Sequence, residues 1–455
     1  MSTLLRFSID ETARRLRAGE FSVPELLEAC LAREAQTREL NAYNAIWAEQ
    51  ARALAAASQT QLEHGYDAGP LHGIPVAVKA NIAVAGEEMH AGSRILAGNI
   101  AQQDARVVKR LKQAGAILIG TTNMHEFAWG GTTNNPHYGA SANAWDRRRI
   151  PAGSSGGSGV AAAVRSALAT LGTDTGGSIR LPASMNGVTG LRPGVGRIAT
   201  DGVFPLAASL DTVGPLAPWA SDCARVYSAL TGEKAVAIPA SLRGLRVGLL
   251  GAYSETVHPD VAQAYQAFTH WLSDAGARCE NVALSGLEEA VNALVLINLA
   301  EPAALHSRWL QERPQDYGDD VRLLLQTGLG ISAVEYLQAQ RYRTLLREQV
   351  LAAFRELDVI LVPTLPFTAP LKGQELVDIG GQQESVLTGN MRFNAIASLC
   401  ALPALSFPAG FDRDGLPVGL QLIGPDGSEG RLLALAARFQ QESDYHTRTP
   451  LMVAR

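Results

Sequence analysis

The chain is poor in cysteine, and Cys30, Cys223, Cys279 and Cys400 share no close spacing. Four scattered thiols argue against a disulfide framework and against C-x-x-C redox or zinc chemistry; they fit core thiols in a reducing, cytoplasmic compartment. The nine histidines form no H-E-x-x-H or comparable ligand pattern, so neither a metal nor a cofactor is expected. Basic residues are in deficit, 39 against 44 acidic ones for a net charge of −5, which leaves no footprint for a nucleic-acid partner. No apolar run approaches the ~20 residues that a membrane helix needs. Met1 to Arg17 alternates charge with Leu and Ile and lacks an apolar signal core. No membrane partner and no secretory signal are therefore expected.

What is present describes a soluble globular protein with a substantial core, 47% hydrophobic and 18% charged. A length of 455 residues could hold two or three domains, yet large α/β enzymes exceed that prior as single units. No convincing boundary stands out, and one domain over 1–455 is expected. Ser22-Val-Pro-Glu25 is a capping-box pattern ahead of a helix over about 23–38. Helices are expected over 44–62, 160–166, 220–232, 259–276, 286–312, 331–357 and 428–441. Strands are expected over 74–79, 116–119, 167–172, 245–250, 358–362, 404–407 and 418–423. Helices alternating with short apolar strands indicate an α/β fold. The stretch 366–381 has loop composition.

The chain is organised around residues 151–193, PAGSSGGSGVAAAVRSALATLGTDTGGSIRLPASMNGVTGLRP. Two glycine-serine clusters bracket an alanine-rich segment. A flexible linker would not carry Val160-Ala-Ala-Ala-Val164 between its glycines. A phosphate-binding loop needs Gly-Lys-Ser/Thr, and no lysine lies between Gly153 and Arg192. Gly153-Ser-Ser-Gly-Gly157 matches a nucleophile elbow by letter, which would make Ser155 the nucleophile of an α/β-hydrolase-type esterase. Asp146-Arg-Arg-Arg-Ile-Pro151 is a poor buried strand to precede such an elbow. The third option is a serine activated by a second serine and a lysine.

GSSGGS followed by GTDTGGSIRLPAS and GVTGLRP resembles the amidase signature hydrolases. Gly73-Ile-Pro-Val-Ala-Val-Lys79, Thr122-Asn-Met-His-Glu-Phe-Ala128, Leu210-Asp-Thr-Val-Gly-Pro215 and Gly415-Leu-Pro-Val-Gly-Leu-Gln421 extend the likeness over roughly 5–445. It implies a large mixed, twisted β-sheet with α-helices on both faces, a signature core over about 70–220 and a variable substrate side over about 235–395. It assigns Ser178 as nucleophile, Ser154 as bridging serine and Lys79 as base, and the oxyanion hole to Thr175, Gly176, Gly177 and Ser178. It also implies a cis peptide before Ser154. Serine is a weak nucleophile until something takes its proton. Lysine, with an ordinary pKa of about 10.4, can take it only where burial disfavours the charge. Asp174 reads as a loop-fixing acceptor. Ala80, Ala152 and Arg192-Pro-Gly194 depart from the family's common pattern without removing a reacting atom.

The implied activity is hydrolysis of a small amide to a carboxylic acid and ammonia through a seryl acyl-enzyme. Ala128, Trp129 and Tyr138 are candidates for the acyl pocket. Arg343 and Arg392 are candidates for clamping an anionic amide or urea derivative by a bidentate pair. Hydrolases of indoleacetamide, mandelamide, carboxybiuret and glutamine lie within the family's reach. The alternative setting is the glutaminase subunit of a tRNA-dependent amidotransferase, with a further small or large partner subunit. Met124-His125-Glu126 in place of that subunit's usual Met-Asp-Glu counts against it. A homodimer stays open, and a non-catalytic scaffold is disfavoured by the intact Lys79, Ser154 and Ser178.

Overall fold

A computed structural model of the chain describes residues 3–450; residues 1–2 and 451–455 of the expected domain lie outside it. Its centre is an eleven-stranded mixed sheet. The strands in chain order are β1 (Tyr43–Ile46), β2 (Pro75–Lys79), β3 (Ile117–Thr122), β4 (Ala169–Asp174), β5 (Thr189–Arg192), β6 (Thr212–Ala217), β7 (Arg246–Leu249), β8 (Arg278–Asn281) and β9 (Val359–Pro363). After a separate hairpin of β10 (Leu376–Asp378) and β11 (Gln383–Ser385) come β12 (Ala404–Phe411) and β13 (Pro417–Ile423). The order across the sheet is β1-β3-β2-β4-β6-β5-β12-β13-β9-β7-β8.

Both faces are covered by helices. On β6, Val213 and Ala217 join the core that includes Cys223 and Val226, whereas Leu216 points the other way into the cluster with Val160 and Ala161. Alternation along one strand thus feeds two layers. Strand β2 is buried at every position and lies parallel to both β3 and β4, which explains the unbroken apolar run before Lys79. That run ends by carrying a lysine to the C-terminal end of a central strand.

The glycine-serine cluster serves packing first. Gly156 and Gly157 open the helix Gly156–Val164, earlier than the expected start at 160. A Cβ on Gly157 would sit 2.4 Å from the Ala42 carbonyl oxygen and 2.5 Å from that of Asn123. Only glycine lets the helix lie this close to the backbone beneath it.

Other boundaries shift for definable reasons. Ser22 and Glu25 cap the helix Val23–Gln36 reciprocally, as their spacing predicts. The helix expected from 44 begins at Ala48, because Tyr43–Ile46 instead pairs with β3. Strands β5, β6 and β8 and the helices Arg180–Asn186 and Asp319–Gly328 were not expected. The expected loop over 366–381 contains β10, which finds its partner at Gln383–Ser385.

Candidate active site

Lys79 ends β2 with no exposure, and its Nζ donates to Ser154 Oγ and to Thr173 Oγ1, each at 2.7 Å. Burial pushes its ammonium down to about 7, only partly opposed by the negative charges of Asp211 and Asp174. A neutral amine at this place can accept a proton near neutral pH. Ser154 follows a cis Gly153–Ser154 peptide and is fully buried. Ser178 lies on the loop after β4, lines a largely apolar cavity together with Gly153 and retains 8% exposure.

Ser155 has a different setting. It is fully buried, its Oγ donates to the Thr173 carbonyl at 3.1 Å and accepts from the Thr173 N–H at 3.3 Å. A hydroxyl locked against a strand backbone and closed to solvent cannot meet a substrate, so the elbow reading is corrected.

Asp174 organises the nucleophile loop. Its Oδ1 accepts from the Gly177 N–H at 3.0 Å and from Arg180 and Arg192 at 2.9 Å, while Oδ2 accepts from the Ile179 N–H at 3.1 Å. Burial alone would raise this carboxyl; the two guanidiniums, with these hydrogen bonds, hold it well below the usual range. The Gly177 N–H is therefore spent on Asp174, a correction to the four-donor oxyanion hole. The N–H groups of Thr175, Gly176 and Ser178 have no protein acceptor among the described residues and can face a developing oxyanion. Thr175 Oγ1 donates to Asp211 at 2.5 Å, and burial lifts the Asp211 carboxyl to about 6.

Sequence reasoning missed Thr173, Arg180, Arg192 and Asp211 as parts of this site. The first two were visible inside the GTDTGGSIR motif; Arg192 lies on β5, which was not expected, and Asp211 immediately precedes β6, which was not expected either.

The cavity at Ser178 has a volume of about 140 Å³. Ala128 and Trp129 line it together with Leu181, Leu299, Leu324 and Met391. Tyr138 does not; its ring stacks on His90 with centroids 4.0 Å apart. Arg343 is also outside it. Its Nε donates to the Leu399 carbonyl at 2.8 Å and its terminal nitrogens to Ser209 O at 2.8 Å and Ser209 Oγ at 3.1 Å. Arg392 pairs with Glu384 at 3.1 Å and donates to the Tyr253 carbonyl at 3.0 Å. Both guanidiniums are committed to the fold, which corrects the expected anion clamp. No residue lining the cavity is charged. No helix among the described residues is long and apolar enough to cross a membrane.

The family model described as Amidase matches residues 25–433. The chain is 37% identical to a subunit of the glutamyl-tRNA(Gln) amidotransferase of Pseudomonas putida, covering 98% of this chain and 99% of that protein. A solved structure described as an amidase superposes with a TM-score of 0.90 at 35% identity, over 96% of this chain and 100% of that one. Another, from a vestigial protein complex that reveals the evolutionary origins of an s-triazine catabolic enzyme, gives 0.91 at 34% identity, over 96% and 99%.

Proposed function

The chain belongs to the amidase signature family, and from that premise we propose that it hydrolyses a carboxamide to a carboxylic acid and ammonia through an ester on Ser178. The observation that carries this is the buried Lys79 Nζ, 2.7 Å from Ser154 Oγ, with Ser178 lining one cavity beside Gly153, the residue before Ser154. Neutral Lys79 takes a proton from Ser154 as Ser154 takes one from Ser178. Ser178 Oγ attacks the carbonyl carbon, and the negative oxygen is met by the N–H groups of Thr175, Gly176 and Ser178. The C–N bond breaks as Ser154 delivers a proton to the leaving nitrogen. Water then attacks the ester, losing its proton along the same path, and the acid departs. The test is ammonia release across primary amides together with active-site labelling by a fluorophosphonate; no turnover, or a label elsewhere than Ser178, overturns the proposal.

Two settings for this chemistry have separate support. The likeness to the amidotransferase protein over nearly the whole of both chains favours a glutaminase that hands ammonia to a partner, and supports it better than it supports a free small-amide hydrolase. The uncharged pocket lining favours the second setting, a hydrolase of a neutral amide. Glutamine carries an ammonium and a carboxylate, and burying either without a partner is costly; counter-charges would have to come from outside the cavity. Co-purification with a partner protein, together with glutamine-dependent ammonia release, would decide for the first setting. Turnover of neutral amides by the isolated chain, with glutamine inert, would decide for the second.

A further inference from the structure

Two side chains interrupt the apolar lining of the Ser178 cavity. Asn298 comes from the helix Ala290–Glu312 and Asn390 from the helix Val386–Arg392, and they are 9% and 4% exposed. The Oδ1 of each is buried without a hydrogen-bond partner. Several other asparagines also keep a bare Oδ1, but they use the amide nitrogen: Asn81 donates to Phe204 O, Asn186 to Pro151 O and Asn394 to Thr364 O. Among the described residues, neither end of the Asn298 or Asn390 amide bonds to protein. Both lean on glycines of the site. Asn298 Nδ2 is 3.6 Å from where a Cβ on Gly176 would stand, and Asn390 Nδ2 is 2.6 Å from the corresponding point on Gly131.

The Oδ1 atoms are closed off, so the Nδ2 ends are the groups that water or a ligand in the cavity can meet. A substrate that displaced such water would have to replace its hydrogen bonds or lose affinity. The cavity volume of about 140 Å³ suits a group near the size of benzene, since a dry cavity of roughly 150 Å³ accepts benzene. Resting on the amide-hydrolysis reading, we propose that Asn298 and Asn390 are specificity-determining residues for a compact acyl group bearing a neutral hydrogen-bonding substituent, such as a hydroxyl or a second carboxamide. A carboxylate or an ammonium would find no opposite charge on the lining.

The experiment compares kcat/KM of the full chain for benzamide, para-hydroxybenzamide, terephthalamide and para-carboxybenzamide by ammonia release, in the parent, Asn298→Leu and Asn390→Leu. The hydroxyl and second-amide substrates should exceed benzamide by roughly tenfold to a hundredfold, the cost of leaving such groups unpaired, and that ratio should collapse toward one in each variant. A loss common to all substrates cancels in the ratio, and Asn298→Ala and Asn390→Ala repeat the measurement where a leucine variant does not fold. A parental ratio near one, or a ratio unchanged in both variants, overturns the assignment while ammonia release leaves hydrolysis standing. Preference for para-carboxybenzamide overturns the neutral class. No ammonia from any amide, with no fluorophosphonate label on Ser178, removes the hydrolysis reading and this proposal with it.

Discussion

Two buried polar regions meet at Ser178 and treat their polar atoms in opposite ways. Around Asp174 each carboxylate oxygen has partners, and the two guanidiniums beside it are themselves tied to Gln421, Ser398 and Leu210. Across the cavity, the Oδ1 atoms of Asn298 and Asn390 have no protein partner among the described residues. The first region is paired without substrate, Arg192 Nε being the one bare atom of the Asp174, Arg180 and Arg192 side chains, and it fixes where the reacting atoms stand, which is how preorganised sites avoid reorganisation during reaction. The second is incomplete until something enters. Reaction and selection are therefore built on different sides of one cavity.

The completed side should break most severely. Ser178→Ala is expected to lower kcat by about a millionfold, as for other nucleophiles that act as one unit with their base, while the melting curve stays two-state. Next in size, Lys79→Ala should cost about 10²–10⁴-fold, the reach of a positioned general base. Its pH signature follows from sign: only the neutral amine accepts a proton, so kcat/KM should rise tenfold per unit at low pH and level off above about 7. A profile that is flat from pH 5 to 8, roughly the range over which such a group would titrate, would remove Lys79 from the proton path.

The same division governs what could be read beforehand. The reacting side lies in short contiguous motifs, so the resemblance to the amidase signature names Lys79, Ser154 and Ser178 from the sequence alone. Its supports were less legible. Arg192 reaches Asp174 from β5, a four-residue strand too short for its period to show. Arg343 misled because its helix position says nothing of the backbone carbonyls it meets at Ser209 and Leu399. Asn298 and Asn390 are separated by 92 residues of chain and carry no motif; only packing brings them to one cavity. The main helices and central strands were legible from apolar periodicity. Tyr43–Ile46 was not, because an alanine-rich segment follows it at once and its pairing with β3 is long-range.

Between the two regions, Asp174→Asn should cost about 3–5 kcal/mol of stability, because it leaves two buried guanidiniums without their counter-charge. Urea melts against Ser178→Ala as the reference measure this, and a loss under ~1 kcal/mol would mean that the pair behaves like a surface one. Arg343→Met should cost less, about 1–3 kcal/mol, since it strips donors from the carbonyls of Ser209 and Leu399. It should not alter the ratio of kcat/KM for anionic over neutral amides. A steep rise in KM confined to anionic amides would restore Arg343 as a substrate clamp.

The smallest effect has the opposite sign and sharpens the contrast most. Asn298 sits among apolar side chains, and among the described residues its Oδ1 has no protein partner, so the fold itself gains nothing from the amide. Replacing a buried polar group by an apolar one of similar shape is nearly neutral or stabilising once no partner is left behind. Asn298→Leu should therefore leave stability unchanged or raise it by up to about 1 kcal/mol, where Asp174→Asn lowers it by several. Leucine keeps the branching of the side chain and adds apolar contact with Leu294 and Val295, one turn back on the same helix face. Urea melts of the two variants, run beside the parent without ligand, make the comparison direct. A loss of about 2 kcal/mol or more in Asn298→Leu, at the upper end of what an unmet buried partner costs, would show that its amide is already paired in the free protein. The two sides of the cavity would then differ in composition but not in how they satisfy their polar atoms.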